Sequence, residues 1–103
     1  MSRLPVSFHP EAMEEAEAAA AWYLDRSKQA ADAFVRELER AIEKLADAPG
    51  RWPIFEGETR RFTLRRFPFL VVYRASHSAI EVLAVAHGRR RPGYWRNRVA
   101  GRI

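Results

Sequence analysis

The stretch Ile80–Trp95 constrains the fold more than any other part of the chain, because an apolar run in it leads directly into a cluster of arginines. Six of its first seven residues are apolar, which predicts a buried β-strand that ends at His87–Gly88. Arg89–Arg91 follow without a break, Pro92–Gly93 predict a turn, and Tyr94–Trp95 close the stretch. We therefore expect a small core built around this strand, with three guanidinium groups held at its edge.

The length and composition predict one globular domain that spans residues 1–103. Hydrophobic residues make up 48% of the chain and charged residues 30%, a balance that argues against disorder. The chain has no cysteine, which excludes disulfides and thiolate metal sites and favours a cytoplasmic location. No apolar run resembles a secretory signal or approaches the roughly 18 residues of a membrane span. We expect a soluble cytoplasmic protein with no membrane contact.

Charge is divided unevenly along the chain. Residues 1–58 hold seven Lys/Arg and twelve Asp/Glu, a net charge of −5, whereas residues 59–103 hold eleven Arg and one acid, Glu81, a net charge of +10. A half this basic attracts polyanions such as nucleic acid, the ribosome or an acidic protein segment. Solvated surface charge is the alternative, but the exclusive use of Arg favours binding, because its planar fork suits phosphate and carboxylate contacts.

Two helices are predicted in the acidic half. Pro10 suits a first helical turn, and the helix is expected to run to about Asp25, with its glutamates on a solvated face. Ser27 is a plausible N-cap for a second helix that ends before Pro49–Gly50. A stripe of apolar residues marks the buried side of this helix: Phe34, Leu38, Ala41, Ile42 and Leu45. The short gap predicts an antiparallel helical hairpin.

Four strands complete the expected fold. A short strand is predicted at Leu4–Phe8, and an alternating one begins at Thr59, where Phe62 and Leu64 point away from the intervening polar residues. Phe69–Ala75 and the strand from Ile80 follow after short turns, which predicts an antiparallel meander. The order βααβββ predicts an α+β fold in which the helical hairpin packs on one face of a small, mainly antiparallel sheet.

The last two strands are apolar on both faces. Strict alternation puts Leu70 and Val72 on one face of the first of them, and Leu83 and Val85 on one face of the second. One helical hairpin covers a single face, so either a partner or the C-terminal tail has to cover the other. We expect a partner, because the tail is short and rich in Arg.

Candidate chemistry reduces to one cationic surface. The three histidines are scattered without metal-ligand spacing, and we expect neither a metal nor another cofactor. If the strand from Thr59 and the strand from Ile80 are neighbours, Arg61, Arg65 and Arg90 share a surface that can hold phosphates. Tyr94 or Trp95 would then stack on a base. In the alternative interpretation, both aromatic residues cap the core and the arginines pair with acids of a partner.

The order βααβββ, with FLVVYRA in the central strand and LAVAHGRRRPGYW at the close, resembles the RelE/ParE superfamily of toxins from type II toxin–antitoxin systems. The resemblance runs from VSFHPEA to Arg98, and HGRRRPGYW is its most specific part and looks like the ParE branch.

RelE-like members are ribosome-dependent mRNA endonucleases that use cations on the sheet and a C-terminal Tyr. By resemblance, Arg61 and Arg90 match basic positions of that set, and Tyr94 matches the tyrosine loosely. Thr63 and Leu70 stand where two further cations are expected. The loss of a central-strand Arg to Leu70 removes a stabiliser of charge on the phosphorane and favours the ParE branch.

ParE-like members are known for inhibiting DNA gyrase by protein contact. The resemblance also implies a ParD-like antitoxin that forms a hetero-oligomer with the toxin and alone contacts operator DNA. A third possibility is a non-toxic binding module of the same fold. The residues expected to face the target are Arg61, Arg65, Arg89, Arg90, Arg91, Tyr94 and Trp95. Those expected to contact the antitoxin are Leu70, Val72, Leu83, Val85 and Arg74.

Overall fold

The computed structural model describes residues 3–100 and has the order βααβββ, followed by a short helix that the sequence analysis did not predict. The elements are β1 (Val6–Phe8), α1 (Pro10–Leu24), α2 (Lys28–Asp47), β2 (Thr59–Thr63), β3 (Phe69–Ala75), β4 (Ile80–His87) and α3 (Arg96–Ala100). The prediction of an α+β fold with a helical hairpin on a mainly antiparallel sheet is confirmed.

Local capping fixes where both long helices begin. The Ser27 hydroxyl accepts a hydrogen bond from the Ala30 N–H at 3.1 Å, as its N-cap assignment predicted. At α1, the His9 Nδ1 atom accepts from the Glu11 N–H at 3.1 Å, and Pro10 occupies the first helical position. Three residues separate the two helices, which is enough for an antiparallel hairpin and too few for any longer crossing.

The four strands form one sheet in the order β1-β4-β3-β2, in which only the β1–β4 pair is parallel. The face covered by α1 and α2, here called the helix face, carries Val71, Tyr73 and Val82. Small residues of α1, such as Ala12 and Ala16, pack in the same core and let the helix approach the sheet closely.

The opposite face of the sheet, here called the second face, is also covered, and the expectation of a bare face is wrong for residues 3–100. Val72 and Leu83 are 0% exposed and pack with Trp95, which is 2% exposed. The Arg96 guanidinium binds the Glu56 carboxylate through two contacts of 2.6 and 2.7 Å, which ties α3 to the loop before β2. The described part of the C-terminal segment, residues 89–99, is basic, yet Trp95 is buried against the sheet and four of its five arginines are exposed.

A β-bulge explains a second departure from strict alternation. The register of β3 and β4 shifts between Val72 and Tyr73, so one extra residue of β4 is accommodated there. Leu83 and Ala84 consequently both pack on the second face, while Val85 belongs to the core of the helix face. The prediction that Leu83 and Val85 share a face is therefore wrong.

Replacement of Trp95 by Ala should expose the second face. We expect Trp95→Ala to lower the free energy of unfolding by about 3–5 kcal/mol, because a large side chain leaves a well-packed cluster. Trp22→Ala is the matched control, since Trp22 is 53% exposed, and it should cost less than about 1 kcal/mol. Urea unfolding measures both variants, and equal losses would contradict the assignment of Trp95 to the core.

Candidate functional site

Three arginines project from the turn that follows β4, and this segment, Arg89–Arg91, is here called the arginine turn. All three residues are exposed. Contacts to His87 shape the turn: its Nδ1 atom accepts the Arg89 N–H, and its carbonyl accepts the Arg90 N–H, both at 3.0 Å. Gly93 then reverses the chain with a φ of 79°, a left-handed conformation that favours glycine. The backbone therefore holds the three guanidinium groups at one rim of the sheet.

Tyr94 supports the middle arginine of this turn. The Arg90 guanidinium carbon lies 3.8 Å from the centroid of the Tyr94 ring, a close cation–π contact. The Tyr94 hydroxyl donates a hydrogen bond of 2.7 Å to Glu15 Oε2. Burial, together with this hydrogen bond to a carboxylate, raises the pKa of the Tyr94 phenol far above its ordinary value of 10. Tyr94 is consequently a neutral donor that carries Arg90 on its ring.

Glu15 of α1 connects Tyr94 to an otherwise open strand edge. β1 pairs with β4 only as far as Val82, so within residues 3–100 β4 has no neighbouring strand on that side beyond this point. The Val85 N–H donates to Glu15 Oε1 at 2.9 Å, and Arg98 Nη1 donates to the Leu83 carbonyl at 2.9 Å. Two side chains therefore satisfy backbone groups that a fifth strand would otherwise pair.

The same two side chains form a partly buried ion pair. Arg98 grips Glu15 through two parallel contacts of 3.0 and 2.8 Å, and the Arg98 side chain is only 5% exposed. Burial alone would raise the pKa of Glu15, but the hydrogen bonds from Arg98, Tyr94 and the Val85 N–H outweigh it. They hold the pKa of Glu15 below its ordinary value of 4.5. Glu15 remains a carboxylate and anchors the C-terminal segment.

Sequence analysis missed this pair, because it assigned the glutamates of α1 to a solvated face. Glu15 lies three residues after Ala12 and four before Ala19, both of which are buried, so it falls on the inward stripe of the helix. That spacing was the available signal. Arg98 carries no comparable signal, because its partner is 83 residues away along the chain.

The expected cationic surface is only partly assembled. β3 separates β2 from β4, so Arg61 lies at least about 10 Å from the arginine turn by strand spacing. Its guanidinium carbon stands 5.1 Å from the Phe55 ring centroid. Arg65 follows β2, and its N–H donates to Glu37 on α2, which places its backbone beside the helices. The prediction that Arg61, Arg65 and Arg90 share one surface required β2 and β4 to be neighbours, and the structure does not meet that condition.

The two aromatic residues of this segment have different environments. Trp95 is 2% exposed on the second face, so in this structure it is not accessible to a target and packs as the alternative interpretation expects of this residue. Tyr94 is half-buried and keeps its contact with Arg90. The structure thus brings the arginine turn and Tyr94 together and leaves Trp95 beneath them.

Residues expected to contact the antitoxin also differ in accessibility. Val72, Leu83 and Val85 are each at most 1% exposed. Leu70 is half-buried and, with Arg90, Arg91 and Tyr94, lines a cleft of about 90 Å³. Arg74 is partly exposed and binds the Glu81 carboxylate at 3.0 Å. Of these five residues, only Leu70 and Arg74 therefore reach the surface of residues 3–100.

Neither a metal centre nor a membrane span is present in the part of the chain that the structure describes. No group of three or more His, Cys, Asp or Glu residues converges there as metal ligands would. None of its helices combines the length and the apolar character needed to cross a bilayer.

Replacement of Glu15 by Gln tests the pair that caps the β4 edge. The pKa of Glu15 is lower in the folded chain than in the unfolded one. Its contribution to stability is therefore complete above the unfolded pKa and is lost as pH falls through the folded pKa. We expect Glu15→Gln to lower the free energy of unfolding by about 2 kcal/mol near pH 7 and by progressively less below pH 4.5.

The control is Glu14→Gln, which removes an equal charge from an exposed neighbour on α1 and should change stability by less than about 0.5 kcal/mol. Urea unfolding across the acidic range measures both variants. A difference between Glu15→Gln and the native chain that does not depend on pH would contradict the assignment.

Comparison with known proteins identifies the family of this architecture. A family model described as the ParE toxin of the type II toxin–antitoxin system parDE matches residues 6–92. Toxin ParE2 of Mycobacterium tuberculosis, in strain CDC 1551 / Oshkosh and in strain H37Rv, is 31% identical over 83 residues, which cover 79% of this chain and 78% of the relative.

A solved structure of the chromosomal ParDE system from P. aeruginosa matches with a TM-score of 0.72 at 18% identity. The match covers 82% of this chain and 96% of that one, and supports the fold. With a family match over most of its length, this chain belongs to the ParE toxins of type II toxin–antitoxin systems.

Proposed function

We propose that this ParE-family toxin inhibits DNA gyrase by protein contact and that a ParD-like antitoxin neutralises it. The observation that carries the proposal is the arginine turn, in which Arg90 rests on the ring of a neutral Tyr94. An exposed guanidinium on an aromatic support loses little conformational freedom on binding, which suits it to a protein interface. The choice of gyrase as target follows from family resemblance.

The surroundings of the turn favour contact over RNA cleavage. Cleavage without a metal needs a general base for the 2′-hydroxyl and cations around the phosphate. The Tyr94 hydroxyl donates to Glu15, and the His87 Nδ1 atom accepts from the Arg89 N–H, so both nearby candidate bases are engaged. Leu70 presents an apolar side chain at the cleft beside the turn, where RelE-like enzymes are expected to carry a cation.

The antitoxin is proposed to be an acidic, amphipathic segment that joins the toxin in a hetero-oligomer and carries recognition of the operator. Leu70 and Arg74 are its proposed contacts, because both remain accessible: Leu70 lines a cleft with Arg90 and Arg91, and Arg74 is partly exposed beside Glu81. Val72, Leu83 and Val85 drop out of the proposal, since the chain itself covers them.

A supercoiling assay with purified gyrase tests the proposed target. We expect the native chain to inhibit supercoiling. The triple variant Arg89→Gln, Arg90→Gln, Arg91→Gln should need at least about tenfold more protein, which is the loss of roughly 1.4 kcal/mol of binding free energy. Arg36→Gln, an exposed residue on α2, is the control for loss of positive charge.

Two results would contradict the proposal. Supercoiling that proceeds normally at excess protein would exclude gyrase as the target. Cleavage of ribosome-bound message by the native chain, detected by primer extension, would establish the RelE-like alternative instead.

A further inference from the structure

A second basic surface lies between α2 and the end of β2. It is a groove of about 450 Å³, here called the basic groove. The residues that line it are Glu37, Arg40, Ala41, Lys44, Phe62, Arg65 and Arg66. The arginine turn follows β4, and β3 lies between β4 and β2, so the two surfaces are about two strand spacings, or about 10 Å, apart.

Three cations in the basic groove are without an acidic partner. Arg40, Lys44 and Arg65 are exposed and form no ion pair within residues 3–100. Arg66 does form one, since its Nε atom lies 3.5 Å from Glu37 Oε1. The charges of that pair cancel, so the basic groove carries three net positive charges.

Glu37 holds the two walls of the basic groove together. It accepts the backbone N–H groups of Arg65 and Arg66, the latter at 3.2 Å. Burial opposes ionisation of Glu37, but these backbone donors and the Arg66 side chain outweigh it and lower the pKa of Glu37. Glu37, the one acid among the described residues that line the basic groove, therefore fixes the turn after β2 against α2, and Arg66 already balances its charge.

Charges on α2 are sorted by side. Glu39 and Glu43 line the groove that α2 forms with α1, whereas Arg40 and Lys44 line the basic groove. Basic side chains that line a concave surface focus the electrostatic field and raise the local concentration of anions. The basic groove is therefore suited to an extended anion.

We propose that the basic groove binds the phosphate backbone of a nucleic acid without reading its bases. Arg40 and Lys44 are one helical turn apart, a rise of about 6 Å along α2, which is comparable to the separation of successive phosphates on one strand. Arg65 faces them from the other wall. Nucleic-acid contact by the toxin itself goes beyond the proposed inhibition of gyrase and beyond the expectation that only the antitoxin touches DNA.

The apolar part of the basic groove argues against the other polyanion, an acidic protein segment. Such a segment is amphipathic and gains affinity by seating apolar side chains. Ala41 is 1% exposed and Phe62 is 9% exposed, so neither of these two apolar side chains is available to receive them. The buried Phe62 ring also cannot stack on a base, which is why the proposed contact is to the backbone alone.

Salt dependence of binding tests this proposal quantitatively. The purified chain is titrated by fluorescence anisotropy with a short duplex DNA and with a single-stranded RNA over a range of salt concentrations. Neutralisation of three phosphates predicts a slope of log K against log salt of about −2.7 for the duplex and about −2.1 for the single strand. Arg40→Gln and Arg65→Gln should each make the duplex slope shallower by about 0.9.

The matched control is Arg26→Gln, which removes the same charge from an exposed residue between α1 and α2, outside both basic surfaces, and should leave the slope unchanged. An equal change in Arg26→Gln, or full displacement of the duplex by poly-glutamate at matched charge, would overturn the proposal. Thermal unfolding of each variant shows whether it is still folded, so that a shallower slope is not mistaken for the effect of unfolding. Gyrase takes no part in this titration, so its result is separate from the test of the proposed target.

Discussion

The buried fork between Glu15 and Arg98 is the interaction on which the rest of this small domain depends. β1 is too short to pair with all of β4. The rest of the β4 edge would otherwise present unpaired backbone groups. Glu15 and Arg98 satisfy two of those groups and bind each other, so the sheet edge and the C-terminal segment are closed by one set of contacts. The Tyr94 hydroxyl donates a hydrogen bond to the same Glu15 carboxylate, so this contact also attaches the segment after the arginine turn to the core.

The C-terminal segment therefore has a structural and a functional role. Trp95 covers the second face of the sheet, and the arginine turn, which precedes it in the chain, lies outside this packed layer. Because adjacent residues carry the two roles, the arginine turn is attached directly to the packed core and is not part of a free tail. Such preorganisation is what an interface built on arginines requires, since a long side chain otherwise loses conformational freedom on binding.

The uneven charge of the chain becomes two separate basic surfaces in three dimensions. One is the arginine turn after β4, and the other is the basic groove between α2 and the end of β2. The acidic residues of the first half do more than balance the positive charge of the second, because Glu15 and Glu37 each hold a basic segment in place through backbone and side-chain contacts. Acidic residues of the helices thus organise the basic strands and turns that follow them.

The sequence by itself determined the element order and the helix starts, because caps, apolar stripes and turn residues are local signals, and its resemblance to the RelE/ParE superfamily predicted the family. It also placed the arginine turn at the end of a buried strand, where the structure has it. Only the tertiary structure decided how those elements meet: β3 came between Arg61 and Arg90, a bulge moved Val85 to the helix face, and Trp95 folded inward. These outcomes depend on strand order, register and contacts between residues far apart in the chain, such as Glu15 and Arg98, which local patterns do not encode.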